Sequence, residues 1–382
     1  MLRNKDKGIT LIALVITIII LLILAGISIS ALTNQGLFKN AKIAQNATEK
    51  AEKEQGQRLN EYEDEINKYL NNANEDEKIG LITDNINKEL SKTDNTKLKD
   101  EKGNRIVVPA GFKIVNGATT VDKGIVIEDV TETATKGSQF VWIPVGTIIK
   151  SDGTTATITL GRYGFDATTG KESAYSDTYV EEDSNDSSTL KKCGNTIAKN
   201  ITKFKNSVAT NGGYYIGRYE ARTATARSAA GNALTQITEK GTENVYNYVT
   251  QLQAAQLSQN MYNNDNFTSD LMNSYAWDTA TVFIQNCGTN AKYSRQISLN
   301  TSLLQTGTNS LTDTSKTDVQ CNIYDMASNI WEWTTETSFI SSFPCVIRGG
   351  SYGISHYYTS DRDGNGTSSS DGRRGFRPLL YL

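Results

Sequence analysis

The sequence predicts an α+β protein with a long N-terminal transmembrane helix followed by a mixed domain outside the membrane. An uncharged apolar run begins at Ile9 and continues to about Leu32, and as a helix it would be ~36 Å long, enough to cross a bilayer. Residues 71–103 are rich in Asn, Lys, Asp, Glu and Thr, which is typical of a linker. From Asn104 onward, short apolar runs between turn residues, as over 106–114 and 140–145, predict strands, and near-helical spacing of apolar residues predicts a helix over 250–261.

A basic segment stands directly before the apolar run. The stretch KGITLIALV, residues 7–15, resembles the leader of type IV prepilins and pseudopilins. This resemblance implies that a prepilin peptidase cuts after Gly8, methylates the new N-terminus at Ile9 and leaves the pilin-like helix on the mature chain. The basic leader would stay inside a bacterial cell membrane, and the remainder of the chain would lie outside it.

Ala13 departs from the prepilin pattern, which usually has Glu at this position. In that family the glutamate is thought to pair with the N-terminal amine of a neighbouring subunit. A minor or tip subunit, or a plain membrane anchor, therefore fits better than a major pilus subunit, and an uncleaved signal anchor is the alternative. Either way we expect a single-pass, cell-surface protein whose partners are the membrane through residues 9–32 and, in a pilus, pilin or pseudopilin subunits.

The predicted organisation has four parts: a leader over 1–8, a transmembrane and stalk helix over 9–70, a polar linker over 71–103, and a folded domain over 104–382. In the stalk, apolar residues recur every three or four positions, as on one face of a helix. A solvated single helix without a partner is the alternative for this part.

Composition narrows the function classes. The net charge is −3, from 39 basic and 42 acidic residues, which disfavours a dedicated nucleic-acid binder. His356 is the single histidine, whereas zinc and non-haem iron sites usually use two or three. In an exported protein the four cysteines could form two disulfides, or they could be buried free thiols. They are Cys193, Cys287, Cys321 and Cys345.

Two C-terminal segments carry a second resemblance. NIYDMASNIWEWT over 322–334, followed by RGGS over 348–351 and GFRP over 375–378, resembles the formylglycine-generating enzyme (sulfatase-modifying factor) family, a branch of the C-type lectin fold. FVWIPV and YIGRYE, earlier in the chain, match in the same order. The resemblance implies a C-type lectin-type domain over about 104–382, with Ser328 where the family usually has glycine.

The residues of these segments also suggest structural roles. Trp331 and Trp333 alternate with Glu332, so both indoles would face one side of a strand and would need partners for their N–H groups. We expect Arg348 and Arg377 to hold the two ends of the final loop.

The same segments argue against catalysis. Enzymes of this family use cysteines between the RGGS and GFR segments, and residues 352–374 contain none. Iron enzymes of the same fold use a histidine set, which one histidine cannot supply. We therefore predict that the protein is not an enzyme. The alternatives are an exported formylglycine-generating-type oxidoreductase and a minor pilin or pseudopilin subunit with a structural head.

The stretch over 352–374 has the Tyr, Ser, Gly, Asn and Asp content of antibody paratopes. Its position resembles the variable region, here 348–377, of proteins diversified by retroelements, whose mechanism mutates adenines and converts Asn codons into codons for such residues. This predicts a surface-displayed adhesin or receptor-type protein that binds an extracellular protein or glycan; a polar loop without a partner is the alternative. The predicted ligand-binding residues are Tyr352, Ile354, His356, Tyr357, Tyr358, Ser360, Asp361, Asp363, Asn365, Thr367, Ser369 and Asp371.

One further pattern concerns calcium. Asp361-x-Asp363-x-Asn365-Gly366 matches the first half of an EF-hand loop, but the twelfth position is Gly372, where a bidentate Glu is required. No cofactor is predicted, and calcium without assigned ligands is the alternative.

Overall fold

The chain divides into two compact units, Met1–Lys78 and Ile79–Leu382. The predicted processing site at Gly8 and Ile9, most of the predicted stalk, and Cys193 lie outside the described residues. The computed structural model describes residues 11–34, 45–48, 50–51, 55, 80–82, 86–88, 90–115, 117, 119–131, 133–176, 178–181, 200–262, 264–299, 318–354 and 356–382.

The first unit contains the helix α1, Leu11–Asn34. Its described side chains run from Leu14 to Ile27 and are all exposed. Across the described parts of the chain, no helix meets the length and apolarity that crossing a membrane requires. This finding contradicts the predicted transmembrane helix over 9–32 and the predicted single-pass membrane location.

The second unit is built mainly of β-strands. Its helices are α2 (Ile201–Asn211), α3 (Gln251–Gln259) and α4 (Ser274–Cys287), with 3₁₀ turns at Ile86–Lys88, Val121–Lys123 and Tyr293–Arg295. Its strands are β1 (Gly80–Leu81), β2 (Thr96–Lys99), β3 (Arg105–Val108), β4 (Phe112–Ile114), β5 (Val126–Asp129), β6 (Gln139–Pro144), β7 (Gly146–Ile149), β8 (Thr155–Ile158), β9 (Tyr163–Phe165), β10 (Glu172–Ala174), β11 (Gly213–Gly217), β12 (Arg222–Thr223), β13 (Asn244–Val245), β14 (Thr268–Leu271), β15 (Val319–Gln320), β16 (Ile323–Tyr324), β17 (Trp331–Thr337), β18 (Cys345–Arg348), β19 (Arg362–Asn365), β20 (Arg374–Phe376) and β21 (Pro378–Tyr381).

The predicted α+β class, led by a transmembrane helix, is therefore wrong. The described residues of this unit form 21 strands and only three α-helices. The physical reason is that most apolar runs here are three to six residues long between turn residues, which suits strands better than helices. The helix expected near 250–261 is confirmed as α3, which begins after a capping box between Thr250 and Gln253.

A six-stranded antiparallel sheet forms the centre, in the order β14-β21-β11-β6-β5-β4. On one face, the rings of Trp142 and Tyr215 lie 4.9 Å apart. On the other, Phe204 of α2 packs against Tyr214 and Tyr381 at 5.2 and 5.5 Å. Because successive strand residues point to opposite faces, the neighbouring tyrosines 214 and 215 fill both sides of the sheet.

A smaller four-stranded sheet, in the order β19-β18-β17-β20, carries the C-terminal segment. β17 pairs with β18 antiparallel and with β20 parallel. As predicted, Trp331 and Trp333 are both buried in β17, and the Trp333 N–H donates to the Val249 carbonyl at 2.8 Å. The Trp331 N–H has no partner within the described structure. Residues 349–373, which connect β18 to β20, therefore begin and end at this sheet.

Candidate ligand-binding site

A buried ionic network supports the start of the C-terminal segment. Arg348 donates to Asp278 at 2.6 Å and to Glu336 at 2.9 Å. Arg362 bridges the same two carboxylates at 2.5 and 2.6 Å, and Arg162 reaches Glu336 at 2.9 Å. Burial alone would raise the pKa of Glu336, but the three guanidinium groups outweigh it and hold that pKa well below its ordinary value.

The end of the segment is held by a second buried pair. Arg377 donates to both carboxylate oxygens of Glu332, at 2.6 and 3.1 Å, and to the carbonyl of Gly217 at 2.9 Å. Burial opposes the charge of Arg377, but Glu332 outweighs that effect and raises the pKa of the guanidinium. The expectation that Arg348 and Arg377 hold the two ends of the final loop is confirmed.

A cleft of about 500 Å³ lies beside the segment. One wall comes from β9 and the residues after β10, and another from the 3₁₀ turn at Tyr293–Arg295. The third comes from residues 357–362. The lining residues are Gly164, Phe165, Tyr175, Ser176, Arg295, Tyr357, Ser360, Asp361 and Arg362.

A stacked arginine sits at this cleft. The guanidinium carbon of Arg295 lies 3.5 Å from the ring centroid of Tyr358. The backbone N–H of Tyr358 donates to the Asp361 carboxylate at 2.9 Å. Burial raises the pKa of Asp361, while the Tyr358 N–H and the charges of Arg295 and Arg348 oppose that rise. The cleft therefore combines a cation, a carboxyl group and aromatic walls.

Tyr357 joins the cleft to an aromatic patch. Its ring packs edge-on against Trp331 at 5.3 Å and 87°, and the His356 ring lies 4.6 Å away. Its hydroxyl donates to Asp363 at 3.4 Å. On the same indole, the guanidinium of Arg373 lies 5.7 Å from the ring centroid.

Tyr352 belongs to a separate tyrosine pair near the end of the segment. A side-chain carbon added at Gly372 would lie 3.1 Å from the Tyr248 hydroxyl and 3.3 Å from the Tyr352 hydroxyl. Tyr248 has φ of 56°, a left-handed conformation that costs a bulky residue energy.

The predicted binding residues thus fall into several small groups. His356 and Thr367 are exposed; Tyr352, Tyr357, Tyr358, Asp361, Asp363, Ser369 and Asp371 are half-buried. Ile354 packs against the hydrophobic core. Ser360 and Asn365 are buried, with 8% and 7% of their surface exposed. The Ser360 carbonyl accepts a hydrogen bond from Arg348. The Asn365 side chain accepts one from Arg374, which also forms an ion pair with Asp371.

The EF-hand-like residues lie mostly in an extended strand. Asp363 and Asn365 belong to β19, where alternate residues are about 7 Å apart, so their oxygens do not converge as in a loop. Asp361, Asp363 and Asn365 each accept a hydrogen bond from a different protein group. Among the described positions, no group of three or more candidate ligands could hold a metal ion.

Sequence reasoning missed two features of the site. Arg295, Phe165 and Tyr175 come from distant parts of the chain, and no local pattern marks them. The β17–β18 turn also exposes three large apolar side chains, Phe339 (68%), Ile340 (56%) and Phe343 (52%). The apolar cluster FISSFP could have indicated this tip. A carbon added at Gly364 of β19 would lie 2.8 Å from the Phe343 carbonyl, so the tip is next to β19.

Three cysteines are described, and two of them, Cys287 and Cys321, are free thiols. Cys345 is buried in β18. Burial raises the pKa of Cys287 to about 12 and also raises the pKa of Cys321. Such thiols carry almost no thiolate at neutral pH and are poor nucleophiles.

Comparisons with known proteins give only distant likenesses. No family model and no curated protein matches the chain, so the resemblances to prepilins and to formylglycine-generating enzymes stay predictions. Among solved structures, the chain is similar to Treponema denticola variable protein 1, with 13% identity and a TM-score of 0.34 over 65% of this chain and 98% of that one. It is also similar to CarF, with 19% identity and a TM-score of 0.23 over 30% of this chain and 48% of that one. Neither value is high enough to support a functional conclusion.

Proposed function

We propose that this chain is a ligand-binding protein whose recognition surface is the cleft together with the segment 352–371. The observation that carries the proposal is the cleft itself, whose lining includes half-buried Tyr357 and Asp361 together with Phe165 and Arg295. Aromatic walls with a few convergent polar groups are typical of binding sites. Loops held on a rigid frame are the usual location of recognition residues.

The buried contacts that hold the segment favour a role in recognition over the alternative of a polar loop that binds no ligand. Arg348 donates to the carbonyls of Ser360 and Asp361 as well as to two buried carboxylates. A segment anchored in this way loses little conformational freedom on binding, and such preorganisation increases affinity.

An enzyme is the second candidate, and the described thiols give it little support. Cys345 is buried, and Cys287 and Cys321 have raised pKa values. Incubation of the full chain with a cysteine-containing sulfatase peptide, followed by mass spectrometry, tests this candidate, and conversion of the cysteine would favour it.

We further propose that the exposed part of the segment is diversified. The side chains that point to the ligand would vary, while buried residues such as Arg348 and Arg377 would keep the frame. A near-copy of the coding segment for 348–377 that differs only at adenines, next to a reverse transcriptase gene, is the expected observation. A sulfatase gene alone in that position would favour the enzyme.

The recognition role is tested by probing an array of peptides and glycans with the full chain. The double variant Tyr357→Ala, Tyr358→Ala should lose the pattern of bound spots. Tyr275→Ala is a matched control, because Tyr275 is also a half-buried tyrosine under a cation, with Lys205 at 3.9 Å. The control should bind as the wild type does. If the double variant keeps the wild-type pattern, the recognition surface is elsewhere.

A further inference from the structure

We infer that Arg295 receives a carboxylate from an acidic side chain of a protein ligand, an inference that rests on the proposed recognition role of the cleft. The juxtaposition that carries it is a half-buried guanidinium, stacked on Tyr358, at the wall of a cleft of about 500 Å³. No local sequence pattern marks Arg295, because it lies 63 positions before the tyrosine on which it stacks.

The stacking leaves the donors of Arg295 available. A guanidinium that lies on an aromatic ring uses its flat face, whereas its N–H groups point outward along the edge. Arg295 makes no ion pair and no side-chain hydrogen bond with any other described residue, and its nitrogens are not among the buried unpaired atoms. The stack on Tyr358 fixes the plane of the guanidinium before a ligand arrives.

The two described carboxyl groups on which the charge of Arg295 acts do not occupy this fork. Asp361 accepts from the backbone of Tyr358. Asp166 accepts from the backbone N–H groups of Thr168 and Thr169 and from the Thr169 hydroxyl. Both carboxyl groups lie close enough to Arg295 for its charge to favour their ionised forms. An incoming carboxylate can add two parallel charge-assisted hydrogen bonds, the geometry that arginine favours.

The neighbouring apolar tip favours a protein over a glycan. Phe343 adjoins Gly364, which is two residues, about 7 Å, along β19 from the cleft residue Arg362. Phe339 and Ile340 in the same turn are more than half exposed. Removing these side chains from water requires an apolar partner surface, and a protein surface offers more of it than a hydroxyl-rich glycan.

Saturation-transfer NMR on the full chain tests the inference with three probes: N-acetyl-glutamate amide, N-acetyl-glutamine amide and N-acetylneuraminic acid. We expect the glutamate probe to bind, and Arg295→Gln to weaken it at least about tenfold, because charge-assisted hydrogen bonds are lost. Arg295→Lys should bind with intermediate affinity, since the charge stays but the fork is lost. Arg105→Gln, at an exposed arginine outside the cleft lining, should change nothing.

Equal binding of the glutamate and glutamine probes, or no effect of Arg295→Gln, would overturn the inference. Tighter binding of N-acetylneuraminic acid, lost in Arg295→Gln, would overturn the protein class and favour a glycan acid. Circular dichroism of each variant shows whether it is folded. If Arg295→Gln is not folded, Arg295→Lys is used in its place. The array experiment with the Tyr357 and Tyr358 double variant distinguishes failure of the recognition role from failure of the role of Arg295. If the double variant loses binding while Arg295→Gln keeps it, the recognition role is supported and the role of Arg295 is refuted.

Discussion

Replacing Arg348 with Ala tests whether the ionic network holds the recognition segment. The side chain is buried and makes four hydrogen bonds, two to the carboxylates of Asp278 and Glu336 and two to the carbonyls of Ser360 and Asp361. Removing one partner of a buried ion pair costs about 3–5 kcal/mol, because the remaining charge stays buried. Here Arg362 still neutralises part of that charge, so we expect about 3 kcal/mol rather than the upper value.

The assay is thermal unfolding of the full chain. The unit Ile79–Leu382 has about 300 residues, which gives an unfolding entropy near 0.6 kcal/mol per degree, so about 3 kcal/mol lowers its Tm by roughly 5 °C. Hydrogen exchange should also become faster over residues 357–362. Arg105→Ala, at an exposed position of β3, is the control and should shift the Tm by less than about 1 °C. A Tm within about 1 °C of the wild type for Arg348→Ala, with unchanged exchange, would refute the reasoning.

Three further predictions follow from the buried residues. Burial raises the pKa of Glu220 from 4.5 to about 7, so the folded chain binds the proton more tightly than the unfolded chain. Unfolding free energy should therefore fall by up to about 3 kcal/mol as the pH rises from about 4.5 to 7, and urea unfolding of Glu220→Gln should lack most of this decrease. Gly350→Ala would put a side-chain carbon 2.4 Å from the Ala327 carbonyl oxygen. We therefore expect the free energy of unfolding, measured in the same urea assay, to fall by about 2–3 kcal/mol. Wild-type stability of this variant would contradict the close contact. If the segment is diversified, sequencing of natural copies should find substitutions at Tyr357 but none at Arg362. The reason is that the Arg362 side chain is nearly buried and pairs with two carboxylates. Frequent substitution of Arg362 would count against the proposal that buried residues stay constant while exposed ones vary.

Local patterns predicted several parts of this fold. Alternation around Glu332 placed both tryptophans in one strand, and the spacing over 250–261 gave the helix α3, because both features depend on residues within a few positions of each other. The same kind of local pattern led to a wrong prediction of a transmembrane helix in the N-terminal apolar run. Hydropathy alone suggested a membrane span over 9–32, whereas no helix among the described residues meets that requirement.

By itself, the sequence determined the polar, tyrosine-rich composition of the C-terminal segment and the arginines at its two ends. Only the tertiary structure decided which of those residues face a cleft. It buried Ser360 and Asn365, and it brought Arg295 onto Tyr358 across 63 positions. The physical reason is that a side chain's exposure and partners depend on strand order and on contacts between distant segments, and periodicity along the chain carries no information about either.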